Sequence, residues 1–180
     1  MSADPESRNP PVELSRMREL DLDEIMRVER LSFSSPWKRD MFLEELNRHH
    51  SVTWVARAAG LSARPLIGYV MFWLIADELH ILNIAVDPDW RQMGIGTRLM
   101  ETVLTAAKGH QSALIVLDVR PANRAARKLY ERFGFRTVGV RPQYYSDTGE
   151  DALVMVREAP FEPMCPGKPA GGSPASEGNP

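Results

Sequence analysis

Three apolar runs rich in β-branched and aromatic residues follow one another at 52–58, 66–75 and 78–86, and the third hands over to the loop "RQMGIG" and the amphipathic run "TRLMETVLTAA". Each run has strand length and is bounded by turn signals: "AAGLSARP" after the first, Asp87-Pro88-Asp89 after the third. The run that follows places Leu99, Met100, Val103, Leu104 and Ala107 at helical spacing over 97–108, with Gly109 suited to cap it. Neighbouring strands followed by a helix with one apolar face must form a sheet that the helix covers.

The flanking segments extend this pattern. A short strand is expected at 12–17. In "DLDE" an N-cap acid, Asp21, is followed three residues later by Glu24, which opens a helix through 33. "SSPW" restarts a helix with Ser35 as cap, Pro36 in the first turn, and Trp37, Met41, Phe42 and Leu46 along one face. "LIVLDV" at 114–119 is short enough for a buried strand. A last helix over 123–133 turns Ala126, Leu129, Tyr130 and Phe133 inward and stops at Gly134, and strands at 135–140 and 152–156 are bridged by "SDTGED". The order β-α-α-β-β-β-α-β-α-β-β predicts an α/β (α+β) fold, a mixed central sheet with helices on both faces.

At 180 residues, one core is expected, over 12–159. Residues 1–11 and 160–180 hold 3 and 6 of the 14 prolines and few large apolar groups, so both are expected to be flexible tails. Cys165 is the single cysteine, which excludes internal disulfides and a cysteine-built zinc site, and no histidine cluster suggests a metal. There is no 18-residue apolar run and no basic-then-apolar leader, so a cytoplasmic protein without a membrane role is expected.

A formal net charge of -2 argues against a dedicated nucleic-acid binder. Its distribution is uneven. Residues 91–141 carry 10 basic and 3 acidic side chains, against 9 and 13 over 12–90. One basic half suits a compact polyanionic ligand, although Arg127, Lys128 and Arg132 also read as a solvated helix face. The two glycines of "RQMGIG" fit that ligand: a strand ending before a glycine loop that opens a helix aims backbone N–H groups and the positive end of the helix dipole at one spot. A tight structural turn fits them equally well. A Walker loop is excluded because no Gly-Lys-Ser/Thr follows, and Leu99 stands where a dinucleotide fingerprint needs its third glycine.

The stretch "LNIAVDPDWRQMGIGTRLM" followed by "NRAARKLYERFGF" resembles the GCN5-related N-acetyltransferases (GNAT), over both central motifs of that family. The resemblance implies the GNAT fold and acetyl-coenzyme A as co-substrate. Its pyrophosphate would lie on Gln92, Met93, Gly94, Ile95, Gly96 and Thr97; Ile84, Ala85 and Val86 would hold the pantetheine arm by strand-like pairing, with Asn123 touching the same arm. "FSSPW", "VRPANRAARKLYERFGF" and "RPQYYSDTGEDALVM" are most similar to the ribosomal-protein-alanine N-acetyltransferases (RimI type). This implies a protein N-terminus as acceptor, an alanine of a ribosomal protein. A lysine or small-amine acetyltransferase, or a coenzyme-binding module of weak activity, are the alternatives. Nothing in the sequence sets an oligomeric state.

The chemistry asks for a base and an acid. An α-amine of pKa roughly 8 must lose a proton before attacking a thioester, and a thiolate of pKa about 8.5 leaves more easily beside an acid. By resemblance Tyr130 is the acid, its other reading being a core aromatic. The backbone N–H of Val86 is the implied oxyanion donor. The RimI-type base is a Glu in "LEVR", and here "LDVR" supplies Asp118, one methylene shorter. A bridging water, Glu78 or His80 are the alternatives, and Asp118 can also be read as a loop cap. Period two puts His80 on one strand face with Glu78, Leu82 and Ile84. Tyr144 and Tyr145 could border the acceptor or simply pack the hairpin.

Overall fold

The computed structural model describes residues 11–60 and 62–158. Apart from Pro11, the expected tails lie outside the described residues, as does Cys165. The elements are β1 (Val12–Arg16), α1 (Leu22–Ser32), α2 (Arg39–Asn47), β2 (Ser51–Ala58), β3 (Leu66–Ile75), β4 (Glu78–Val86), α3 (Ile95–His110), β5 (Leu114–Val119), α4 (Arg124–Arg132), β6 (Arg136–Tyr145) and β7 (Glu150–Glu158). They build a seven-stranded sheet of order β1-β2-β3-β4-β5-β7-β6. Every pair is antiparallel except β4 with β5, whose parallel pairing needs the crossover that α3 supplies.

Two apolar layers hold the sheet. On one face Leu99, Met100 and Val103 of α3 and Tyr130 of α4 pack on Val70, Phe72, Leu79, Ile81, Ile115 and Leu117. On the other, Leu22, Ile25 and Val28 of α1 and Phe42 of α2 pack on Val55, Tyr69 and Met71. Burying one such side chain contributes ~1.5–3 kcal/mol. An exposed ion pair such as Arg39–Asp23 contributes about 0–1 kcal/mol, so the apolar layers carry the fold.

Several expected boundaries move. The capping box at α1 does not form: Asp21 closes a 3-10 turn instead, accepting the Arg18 N–H at 2.7 Å and Arg57 Nη2 at 2.7 Å. Glu24 turns to Arg57 and the Leu66 N–H, so both acids tie α1 to the sheet. Helix α2 starts at Arg39 rather than beside Ser35, because the Trp37 N–H is bonded to the Glu29 carboxylate and Lys38 is extended. Phe42 is buried as expected, whereas Met41 is exposed. Helix α3 runs through Gly109 to His110 and is closed by Gln111 at φ +60°, whose N–H meets the Ala107 and Lys108 carbonyls. Strands β6 and β7 extend beyond the expected ends and take in Tyr144 and Tyr145.

Candidate active site

The sheet opens in its middle. Strands β4 and β5 pair from Glu78↔Leu114 to Ile81↔Leu117 and no further, while β4 stays paired with β3 to its end at Gly68↔Val86. The change coincides with a bulge: Phe72 faces Ile81 and Met71 faces Asn83, leaving Leu82 between them without a partner. A bulge inserts one residue and reverses which face each later side chain occupies. Leu79 and Ile81 pack under α3, Leu82 and Ala85 pack under α1, and Ile84 and Val86 return to the α3 layer. Ile84 therefore does not share a face with His80, contrary to the period-two expectation.

The bulge also aims the main chain. The Asp87 N–H donates to Ile67 O at 2.9 Å, which sets the phase of the β3–β4 ladder. In that phase Asn83 and Ala85 exchange bonds with β3, and the N–H and C=O groups of Ile84 and Val86 point to the edge that β5 has left. Consistent with this, Val86 O accepts Arg91 Nε at 3.1 Å and Ser32 Oγ at 3.5 Å. Of the three residues expected to pair with an extended ligand, Ile84 and Val86 offer main-chain groups to it; Ala85 spends its own on Tyr69.

At the end of this free edge lies the glycine loop. Asp87 accepts the Asp89 N–H at 3.0 Å, starting a 3-10 turn at Pro88–Trp90, and is itself held by Arg27 Nη1 at 2.5 Å. Gln92 (φ +63°) and Gly94 (φ +75°) then curl the chain through two left-handed positions. Gly94 is the N-cap of α3 and makes no side-chain cap bond, so the first-turn N–H groups of Ile95, Gly96 and Thr97 face outward. Such a concavity attracts anions. Gly96 has a packing reason: a Cβ there would stand 3.2 Å from Leu129 Cδ2 and 4.0 Å from Val86 Cγ2, wedging α4 away from the loop. Asn123 caps α4, accepting the Ala126 N–H on Oδ1 at 3.1 Å.

The titratable groups gather on the β5 side. Asp118 is the first β5 residue beyond the paired segment and shares its face with Leu114 and Val116, as expected. Its side chain is 21% exposed and accepts Arg141 Nε at 3.0 Å. Tyr130 is 5% exposed, its ring 5.9 Å from that of Phe135. Burial first, and then the Tyr145 hydroxyl, raise its pKa far above the ordinary phenol value. Tyr145 is itself pushed up to about 12 by burial, against the opposing pull of Arg120, with Tyr144 and Asp118 adding to the rise. Tyr144 is raised by burial and then by Asp118. Asp118, Tyr130, Tyr144 and Tyr145 thus form one electrostatic neighbourhood.

Glu78 stands apart from it, whereas His80 pairs with Val116, two residues before Asp118 and about 7 Å along the strand. His80 and Glu78 bond each other, Nε2 to Oε2 at 2.6 Å, in the closed half of β4. Glu78 pairs with Leu114, four residues before Asp118 and hence about 13 Å along the strand at ~3.3 Å per residue.

Three contributors were not foreseen from the sequence. Arg120 stacks 3.7 Å over the Tyr145 ring and bonds Asp147 at 2.8 Å and Glu150 at 3.0 Å, latching the β6–β7 hairpin to the end of β5. Arg141 covers Asp118. Glu29, fully buried on α1, accepts from Tyr69 and Asn83 as well as from Trp37. A glutamate at an inward position of an amphipathic helix was the available signal for the last; spacing alone marks neither arginine. No group of three or more His, Cys, Asp or Glu suited to a metal occurs among the described residues, and no helix among them is long and apolar enough to cross a membrane.

Comparison with known proteins agrees with this architecture. The family model described as "Acetyltransferase (GNAT) family" matches residues 22–135. A Bacillus subtilis protein named putative [ribosomal protein bS18]-alanine N-acetyltransferase is 36% identical over 140 residues, covering 77% of this chain and 90% of the relative. The crystal structure of the Escherichia coli ribosomal-protein-alanine N-acetyltransferase superposes with a TM-score of 0.74 at 27% identity, covering 83% of this chain and 94% of that one. Arabidopsis thaliana NAA60 bound to acetyl-CoA shares the fold at 21% identity, with a TM-score of 0.73 over 82% of this chain and 98% of that one. An opened mixed sheet with an N–H cradle at its free edge, matched over most of its length by these sequences, identifies the fold and its chemistry together: the chain belongs to the GNAT family of acetyltransferases.

Proposed function

We propose that this enzyme moves the acetyl group of acetyl-coenzyme A to the α-amine of a protein N-terminus, with an N-terminal alanine of a ribosomal protein as acceptor, in the cytoplasm. The observation that carries the acceptor class is the 36% identity to a relative named for that reaction, over 90% of the relative's length. The geometry suits the donor: a narrow free edge for an amide-bearing arm leads to outward N–H groups for its phosphates. Ile84, Val86, Gln92, Met93, Gly94, Ile95, Gly96, Thr97 and Asn123 are the residues we assign to it.

Acetyl-coenzyme A supplies an activated carbonyl, and the protein supplies alignment and proton transfer. The free N–H of Val86 points into the opening where negative charge would gather on the carbonyl oxygen. Asp118, across that opening, takes the proton lost by the acceptor ammonium; being one methylene shorter than Glu, it does so through a water. As the new C–N bond forms and the C–S bond breaks, Tyr130 gives its proton to the departing sulfur and is restored by the second proton that the nitrogen sheds in becoming an amide, relayed through water. The raised pKa of Tyr130 keeps its own proton in place until the sulfur departs. Tyr144 and Tyr145, held by Arg141 and Arg120, flank the acceptor side.

The test offers the enzyme acetyl-coenzyme A with two peptides, one with a free N-terminal Ala and one N-blocked with an internal Lys. A 42-Da gain, about the mass of one acetyl group, on the first peptide only is the expected result. Acetylation of the blocked peptide, or coenzyme binding without transfer to either, would overturn this reading.

A further inference from the structure

Buried carboxylates are expensive to keep and are retained where their bonds hold something specific. Glu29 is 0% exposed, and burial raises its pKa despite its donors. Its Oε1 accepts the Trp37 N–H at 2.9 Å, and its Oε2 accepts the Tyr69 hydroxyl and Asn83 Nδ2, the latter at 3.3 Å. Asn83 Nδ2 also reaches Tyr69 Oη at 2.9 Å. One side chain thereby joins the segment between α1 and α2, the middle of β3, and the residue next to the β4 bulge.

That segment lies at the opening. The chain leaves α1 at Ser32, whose hydroxyl reaches Val86 O, and the half-buried Phe33 and Trp37 pack on the α1 layer, as the bulged residue Leu82 does. Between them Ser34, Ser35 and Pro36 are exposed. Apolar packing alone would leave the Trp37 N–H without an acceptor, and a hydrophobic residue at 29 would serve the fold as well or better. We infer that Glu29 is a positioning residue that clamps residues 33–37 over the open half of β4, where they form the wall against which the acceptor's N-terminal residue lies. The wall assignment rests on the acceptor class proposed above. The clamp itself does not.

Glu29→Gln keeps the shape and loses the charged acceptor. The Michaelis constant for an N-terminal-Ala peptide should rise about tenfold while kcat changes less, and the coenzyme dissociation constant should stay within about twofold. In the free enzyme, hydrogen exchange of the Trp37 amide should quicken. Tyr69→Phe removes one donor and leaves the Trp37 tether, so it should give the same changes more weakly and serves if Glu29→Gln fails to fold. An unchanged peptide Michaelis constant in a folded variant, or an unchanged Trp37 exchange rate, would overturn the role of Glu29, since a merely structural carboxylate lowers the melting temperature alone. If the wild-type enzyme itself fails to acetylate the peptide, the acceptor reading and the wall fall, whatever the exchange shows.

Discussion

The two halves of β4 share one neighbour, β3, and end with different chemistry. Residues 78–81 pair on both edges, with β3 and β5; residues 83–86 pair with β3 alone. In the closed half the polar groups satisfy one another, His80 with Glu78. In the open half the main-chain groups of Ile84 and Val86 have one neighbour strand and a free side. A strand with one free edge can take an extended ligand as its next strand, and a strand paired on both sides cannot. One extra residue, Leu82, separates the two states.

The strongest way to test this contrast is at the opening itself. Tyr130→Phe should lower kcat by about 100-fold or more, the scale of a lost general acid, and leave the coenzyme dissociation constant within about twofold. Because burial raises the Tyr130 pKa, its phenol remains protonated as pH rises through the ordinary range, so the wild-type rate should show no alkaline fall traceable to it. Single-turnover acetylation measured against pH reads both effects. Unaltered turnover in the Phe variant would remove Tyr130 from the acid role.

Next in size is the comparison of candidate bases across the two halves. Asp118→Asn should lower kcat/KM by about 10- to 100-fold, as steady-state acetylation of the N-terminal-Ala peptide would read. Glu78→Gln and His80→Gln, in the closed half, should stay within about twofold of wild type. Equal losses for His80→Gln and Asp118→Asn would move the base to the closed half.

How far this was legible beforehand follows from which signals are local. Strand and helix order, the inward face of α4, the left-handed Gly134 stop and the face of Asp118 all follow from periodicity and turn chemistry within one element. The bulge at Leu82 leaves only a faint local mark: Asn83 falls three residues after His80, where Glu78 and His80 are two apart. The start of α2 depended on Glu29, eight residues away, taking the Trp37 N–H. Similarly, Asp118's partner Arg141 lies 23 residues along the chain and is delivered by the pairing of β7 between β5 and β6. These contacts are tertiary, and local propensity yields to them.

The smallest expected effect concerns the glycine loop, where a change can separate the free edge from the phosphate cradle. Gly96→Ala places a methyl 3.2 Å from Leu129 Cδ2, the end of a flexible side chain, so α4 has to give by only a few tenths of an ångström. Gly96 has an ordinary helical place in α3, unlike Gly94 at φ +75°, so backbone strain adds nothing. The coenzyme dissociation constant should rise about three- to tenfold, with stability lowered by less than ~1 kcal/mol, as titration calorimetry and denaturant unfolding would read. Shortening Leu129 to Ala in the Gly96→Ala background removes the crowding and should recover part of the affinity. If affinity stays low after that relief, the methyl obstructs the ligand directly, and the cradle extends over Gly96 itself; if Gly96→Ala binds as wild type does, the phosphates do not rest at this turn.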